Sequence, residues 1–186
     1  VLRLREAIYY AYTLQGIKLQ QVEKQKDLGV IFTENLKPSA HIVDITSKAN
    51  QKIGLIKRCF SNLTKDKVKI LYTSIIRPAL EYASPVWSPW LKKDIDLLEN
   101  TQKRCLNLAS QRIDLETLQE RRKRTDLLET FKFNTGLYKT QKDQFFITPT
   151  RTLRGHSKKF AKSRVEKDVA KHFFTNRVVT PWNDLP

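Results

Sequence analysis

The sequence predicts a mainly α-helical fold with a small β-hairpin at its start and a basic helical segment at its end. From residue 42 onward, apolar residues recur at spacings of three and four, which is the pattern of a helix with one buried face. Before Pro38, short β-branched runs bounded by polar residues predict strands instead. Hydrophobic residues make up 40% of the 186 residues, which is enough to fill a core.

The first part of the chain, residues 1–37, is expected to be the β element, with strands within residues 8–33. Ile17, Leu19 and Val22 come before a polar stretch, and the apolar run LGVIF follows it at 28–32. Gly29 inside that run predicts a bulge or a close approach of another group to the backbone.

The middle part, residues 38–112, carries the clearest helical pattern. A long helix is expected to begin with Ser39 as its N-cap. Its predicted inward residues are Ile42, Ile45, Ala49, Ile53, Ile56 and Phe60, and its predicted cationic face holds Lys48, Lys52, Lys57 and Arg58. A second helix follows Thr64, and Pro78 is predicted to kink or end it. A further helical turn is expected to stop near Ser84.

Two more helices are predicted at 92–109 and 114–134, after the segment SPVWSPWL at 84–91. Its two tryptophans are expected to be packing anchors, with base stacking as the alternative. The last part, residues 113–186, begins with the second of these helices, which contains the run Arg121-Arg122-Lys123-Arg124. That run is either a solvated helix face or a stripe that contacts phosphates. A loop is predicted at 135–163. Trp182 is expected to pack the C-terminal tail against the core.

The charge of the chain predicts a polyanionic partner. Lys and Arg number 35 against 19 Asp and Glu, so the formal net charge is +16. A compact domain with this much like charge repels itself, and neutralising phosphates releases their condensed counterions. Nucleic acid is therefore the expected class of partner.

The sequence offers no residues for bond chemistry and no membrane segment. It lacks a phosphate-binding glycine motif, and its three histidines lie far apart. Asp94 and Asp96 could hold Mg²⁺, although complementing a helix dipole is the favoured interpretation. Cys59 and Cys105 are expected to be reduced thiols in the core or partly buried. No apolar run approaches the roughly 20 residues that span a bilayer.

Several collinear strings resemble the end of the reverse transcriptase of non-LTR, LINE-type retrotransposons of the jockey-like kind. They are KDLGVIF at 26–32, KANQKIGLIKR at 48–58, ILYTSIIRPALEYASPVWSP at 70–89, LLENTQKR at 97–104, RGHSKKF at 154–160 and HFFTNRVVTPWNDLP at 172–186. The 70–89 string is the most specific of them. The chain differs from the family at 109–113, where only five residues join two helices and the family usually has a longer connecting stretch.

The resemblance implies that this chain lies C-terminal to the catalytic palm of a longer polypeptide. The paired aspartates and the Mg²⁺ of that palm are absent here. The chain would therefore not polymerise alone and would hold no cofactor. Residues 1–37 would contain the primer-grip element, 38–112 a helical thumb and 113–186 the basic C-terminal region. The expected partners are RNA, DNA or an RNA–DNA hybrid, and the upstream palm and fingers of the same polypeptide. The parent element would be intracellular, in nucleus and cytoplasm. We expect nucleic-acid contacts from Lys26, Gly29, Lys48, Lys52, Lys57, Arg58, Arg121, Arg122 and Arg124.

Two other functions stay open. The chain could be a stand-alone or domesticated basic helical module that binds RNA or DNA. It could also be a protein-interaction module that uses SPVWSPWL for docking. The lack of any methionine, with Val1 at the start, leads us to expect a piece of a longer polypeptide.

Overall fold

The structure is a computed structural model that describes residues 12–139, 142–149 and 158–186. It confirms the predicted fold class, because helices dominate these ranges and the strands all lie near the N-terminus. The beginning of the predicted strand region, before residue 12, lies outside the described residues.

Two separate antiparallel hairpins form the β element. In the first, β1 (Thr13–Leu14) pairs with β2 (Ile17–Lys18), and all four side chains are exposed. In the second, β3 (Lys24–Asp27) pairs with β4 (Val30–Thr33) from Lys24 opposite Thr33 to Asp27 opposite Val30. Only β4 buries a residue, Val30, and it packs against the first long helix.

Helix α1 (Ser39–Cys59) buries one continuous face. Ile42, Ala49, Ile53 and Ile56 enter the main core as predicted, whereas Ile45 is half-buried and Phe60 is exposed beyond the helix end. The predicted N-cap was wrong by one residue, since Pro38 occupies the cap and makes no side-chain cap bond.

The Ser39 hydroxyl serves a different purpose. It donates a 2.6 Å hydrogen bond to Asp94 Oδ2 and so joins the starts of two helices. Asp94 is buried there.

Pro78 does not end its helix, contrary to that part of the prediction, because helical structure continues to Glu81. Helix α2 (Lys65–Leu71) continues through a π-helical turn (Tyr72–Ile76) into α3 (Arg77–Glu81). In the widened turn the Arg77 amide bonds to Tyr72 O, five residues back. Pro78 then stands at the start of a new helical turn, where a missing N–H costs little.

The next helices are α4 (Ser84–Trp87), α5 (Lys92–Leu106) and α6 (Leu118–Asn134). The predicted stop near Ser84 was right to within a few residues, because α3 ends at Glu81 and Ala83, with φ of +53°, separates it from α4. The predicted bounds of α5 and α6 were too wide. Residues 107–117 instead form an irregular connection. Thr117 and Glu120 close a capping box at the start of α6, and the Glu99 carboxylate accepts from the Leu118 and Gln119 amides at 3.3 and 2.9 Å.

The two cysteines differ in environment. Cys105 is buried in the main core, and burial raises the pKa of its thiol to about 11. Cys59 is exposed at the end of α1, so its predicted burial was wrong.

A second, aromatic core holds the C-terminal segment. After a 3₁₀ turn (Lys142–Gln144) come α7 (Asp168–Lys171), α8 (Phe174–Arg177) and α9 (Val179–Asn183). Phe146, Phe160 and Trp182 are buried together, packed against one side of α6. Trp182 belongs to this cluster, which includes Leu127 and Phe133 of α6, and this packing confirms the predicted docking of the tail. The Trp182 indole also donates to Lys158 O at 2.8 Å.

Candidate nucleic-acid interface

His41 joins the second hairpin to α1 at the centre of the candidate surface. Its ring is only 1% exposed, and Nδ1 accepts a 3.3 Å hydrogen bond from the Ile31 amide of β4. The Trp87 ring packs on it edge-on, with centroids 5.1 Å apart. Because a protonated Nδ1 could not accept this bond, the geometry requires a neutral imidazole.

The electrostatics of His41 show which cations gather around this joint. Burial is the main reason that the pKa of His41 lies below its usual value; Asp44 opposes the shift, and the positive charges of Lys48 and Lys26 add to it. Lys26 is paired across the hairpin with Ile31, whose amide bonds to His41, and Lys48 follows His41 by seven residues, about two turns, on α1. The fold therefore places these two predicted site residues on the two elements that His41 joins.

Lys52 continues the surface by one helical turn. It lies four residues after Lys48, so the two share a flank of α1 about 6 Å apart along the axis. Lys48 forms an exposed 2.6 Å ion pair with Asp44, whereas Lys52 has no ion pair among the described residues. We call Lys26, Lys48 and Lys52 the hairpin-side surface.

Lys57 and Arg58 are exposed but lie elsewhere on α1. Lys57 follows Lys52 by five residues, which is a rotation of about 140° around the helix, and Arg58 is turned a further ~100°. The four cations predicted for this helix therefore do not form a single track.

Gly29 lies at the tip of the second hairpin, in a two-residue turn with Leu28. Both residues have positive φ, +44° for Leu28 and +87° for Gly29, as in a type I′ turn. The Tyr82 hydroxyl donates to Leu28 O at 3.2 Å, and a Cβ on Gly29 would lie 3.3 Å from the Tyr82 ring. The predicted close approach is confirmed, although Gly29 forms a turn and not a bulge.

The run from Arg121 to Arg124 does not present four cations to one side. Arg121 pairs with Glu81 in a bidentate arrangement, and Arg124 pairs with Glu116. Arg122 is buried, and only Lys123 is exposed without an ion pair among the described residues. Successive residues on a helix point about 100° apart, so adjacent cations cannot form a stripe along its axis.

Sequence reasoning missed two residues that position the candidate surface, His41 and Tyr82, and it named Asp94 only as a helix-dipole charge or a Mg²⁺ ligand. Each of the three acts through a contact with a residue ten or more positions away in sequence. The sequence around a single histidine or tyrosine does not indicate which distant residue it will contact. The only sequence feature that singled out Tyr82 was its place in the specific 70–89 string.

Within residues 12–139, 142–149 and 158–186, no three His, Cys, Asp or Glu side chains cluster as metal ligands. In the same ranges, every helix is too short or too polar to cross a bilayer.

The chain matches no protein-family model, no curated protein and no solved structure.

Proposed function

We propose that this chain is the non-catalytic, thumb-like C-terminal part of an RNA-directed DNA polymerase of a non-LTR retrotransposon. It holds the RNA template and DNA primer through their backbones, while the upstream palm supplies the aspartates and Mg²⁺. The collinear sequence strings support this proposal, as does the order of a hairpin followed by helices.

The observation that carries the proposal is the hydrogen bond by which His41 of α1 holds Ile31, the residue opposite Lys26 in the hairpin, while α1 carries Lys48 and, one turn further along, Lys52. Lysines on rigid elements contact sugar-phosphate without reading bases, and a moving polymerase needs contacts of that kind. A hairpin and a helix that are fixed together can follow the shape of a duplex as one unit.

The positions of the two tryptophans in SPVWSPWL argue against the alternative in which this segment is a docking surface for another protein. Trp87 is buried against His41, and Trp90 stacks on His172 with ring centroids 4.8 Å apart and planes 3° from parallel. Their faces are used within the fold, as expected of packing anchors.

Replacing Lys48 and Lys52 with Gln tests the proposal. We expect the double variant to bind a 20-base-pair RNA–DNA hybrid about tenfold more weakly and to lose up to about two units of salt slope, because each lysine neutralises one phosphate. Fluorescence anisotropy at several salt concentrations measures both quantities.

The matched control is Lys103→Gln with Arg104→Gln, which removes the same charge from exposed positions at the end of α5. This control should weaken binding only slightly. Equal losses in the two double variants would show that net charge alone drives binding and would overturn the assignment of the hairpin-side surface.

A further inference from the structure

Arg122 brings an unpaired positive charge into the interior. Its side chain lies on α6 and is 3% exposed, and neither Nη1 nor Nη2 has a hydrogen-bond partner among the described residues. A guanidinium stays protonated in proteins, so the charge is permanent. Buried charges are ordinarily paired, because desolvation without compensation is costly. Among the described residues, therefore, no carboxylate is hydrogen-bonded to Nη1 or Nη2 of Arg122.

The carboxylates near Arg122 are bonded to other groups. Burial is the main reason that the pKa of Arg122 lies below its usual value, and Glu99, Glu81 and Asp126 only partly oppose this. The Glu99 carboxylate accepts from the Leu118 and Gln119 amides. The Glu81 carboxylate is bonded to Arg121, and the Asp126 carboxylate is bonded to Arg177. None of them is a dedicated partner for the Arg122 guanidinium.

A cavity of about 220 Å³ lies beside Arg122, between α6 and the C-terminal segment. Three cations and one carboxylate contribute to its lining: Arg122, Lys123, Arg177 and Asp126. Asp126 is engaged by Arg177 at 2.8 and 2.9 Å, so the positive charges of Arg122 and Lys123 are left over. The volume is several times the roughly 30 Å³ that one water occupies in the liquid.

We propose that this cavity is a binding site for a phosphoryl group, with Arg122 as the principal donor and Lys123 at the rim. A planar guanidinium matches two oxygens of a tetrahedral oxyanion. Nη1 and Nη2 of Arg122 are shielded from solvent, so a phosphoryl group reaches them only when a side chain at the rim moves. Lys123 and Gln119 are exposed one turn apart on α6, and their side chains are able to move in this way. The site shares no lining residue with the hairpin-side surface and does not depend on the proposed function. The phosphoryl group can come from free phosphate or from a nucleic-acid backbone.

The test is titration of the whole chain with inorganic phosphate at constant ionic strength, followed by calorimetry and thermal unfolding. We expect saturable binding and a melting temperature that rises with phosphate concentration. Arg122→Gln should weaken phosphate binding tenfold or more, as the loss of a charge-assisted bidentate contact implies. Lys103→Gln, which removes an equal charge from an exposed position that does not line the cavity, should bind phosphate like the wild type.

If phosphate does not bind saturably, or stabilises the chain no more than chloride does, the proposal is overturned. Water would then be the hydrogen-bond partner of the Arg122 guanidinium. Phosphate affinity unchanged by Arg122→Gln would also overturn the proposal. If Arg122→Gln fails to fold, Lys123→Gln is the variant to use, because Lys123 is exposed. This change should weaken phosphate binding several-fold. An unchanged phosphate affinity would overturn the proposed site. Competition with a dT₁₀ oligonucleotide then assigns the source: displacement of phosphate indicates a backbone phosphate, and no displacement indicates free phosphate.

Discussion

Arg177 connects three parts of the molecule through one side chain. Its Nε and Nη2 bond to Asp126 of α6, Nη1 donates to His172 O at 2.9 Å, and Nη2 also donates to Pro85 O at 2.7 Å. The Arg177 and Asp126 side chains are 16% and 10% exposed. Removing one partner of such a pair leaves the other charge buried and unpaired.

Arg177→Ala should therefore lower the free energy of unfolding by about 3 kcal/mol, as measured by urea denaturation. The matched control is Arg112→Ala, which breaks the exposed 2.8 Å pair with Asp114 and should cost no more than about 0.5 kcal/mol. Comparable costs for the two variants would show that the C-terminal segment is not fixed through Arg177.

His41 gives the fold a dependence on pH that can be assigned to one residue. The unfolded chain takes up a proton near pH 6.5, whereas burial lowers the pKa of His41 in the folded state. The stabilisation by neutral His41 is thus complete above pH 6.5 and is lost as the pH falls through the lower folded pKa. The loss approaches about 1.4 kcal/mol for each unit of lowering.

His41→Asn keeps an acceptor for the Ile31 amide and removes the titration. Between pH 7.5 and 5.5, the unfolding free energy of this variant should fall less than that of the wild type. Burial also lowers the pKa of His172, but His172 is present in both proteins, so its contribution cancels in the comparison. Parallel pH profiles would contradict the role given to His41.

At the scale of elements, the second hairpin holds a residue that its turn does not favour. Leu28 is 84% exposed with φ of +44°, a conformation in which Asn is preferred at the first position of a type I′ turn. Leu28→Asn should therefore raise the free energy of unfolding by roughly 0.5 to 1 kcal/mol. Gly29→Ala is the opposing control; it should destabilise by about 1 kcal/mol or more, because φ is +87° and Tyr82 is close. A destabilising Leu28→Asn would show that the leucine makes a contact that stabilises the fold.

The helices show which elements sequence patterns can predict. The 3-and-4 spacing of α1 predicted its extent to within a residue, because its buried face depends only on local periodicity. The passage of a helix through Pro78 was not predictable in this way, since the π-helical turn shifts the register by one residue. That shift leaves Tyr72 and Ile76 buried while Ile75 is 40% exposed.

At the scale of the whole molecule, the sequence predicted the kind of charge but not its arrangement. The docking of the second hairpin on α1 joins the two elements that carry Lys26 and Lys48, and it is a tertiary contact without a local signal. Arg121 and Arg124 were expected to contact nucleic acid, in a run that was either a solvated helix face or a stripe that contacts phosphates. In the structure Arg121 pairs with Glu81 of α3, and Arg124 pairs with Glu116 of the irregular connection. Composition counts charges, whereas the pairing of those charges depends on packing.

The salt dependence of wild-type binding to an RNA–DNA hybrid tests the central claim most directly. If Lys26, Lys48 and Lys52 neutralise phosphates, a plot of the logarithm of affinity against the logarithm of salt concentration should have a slope of about −2 to −3, with little dependence on sequence. A slope indistinguishable from zero would contradict the account.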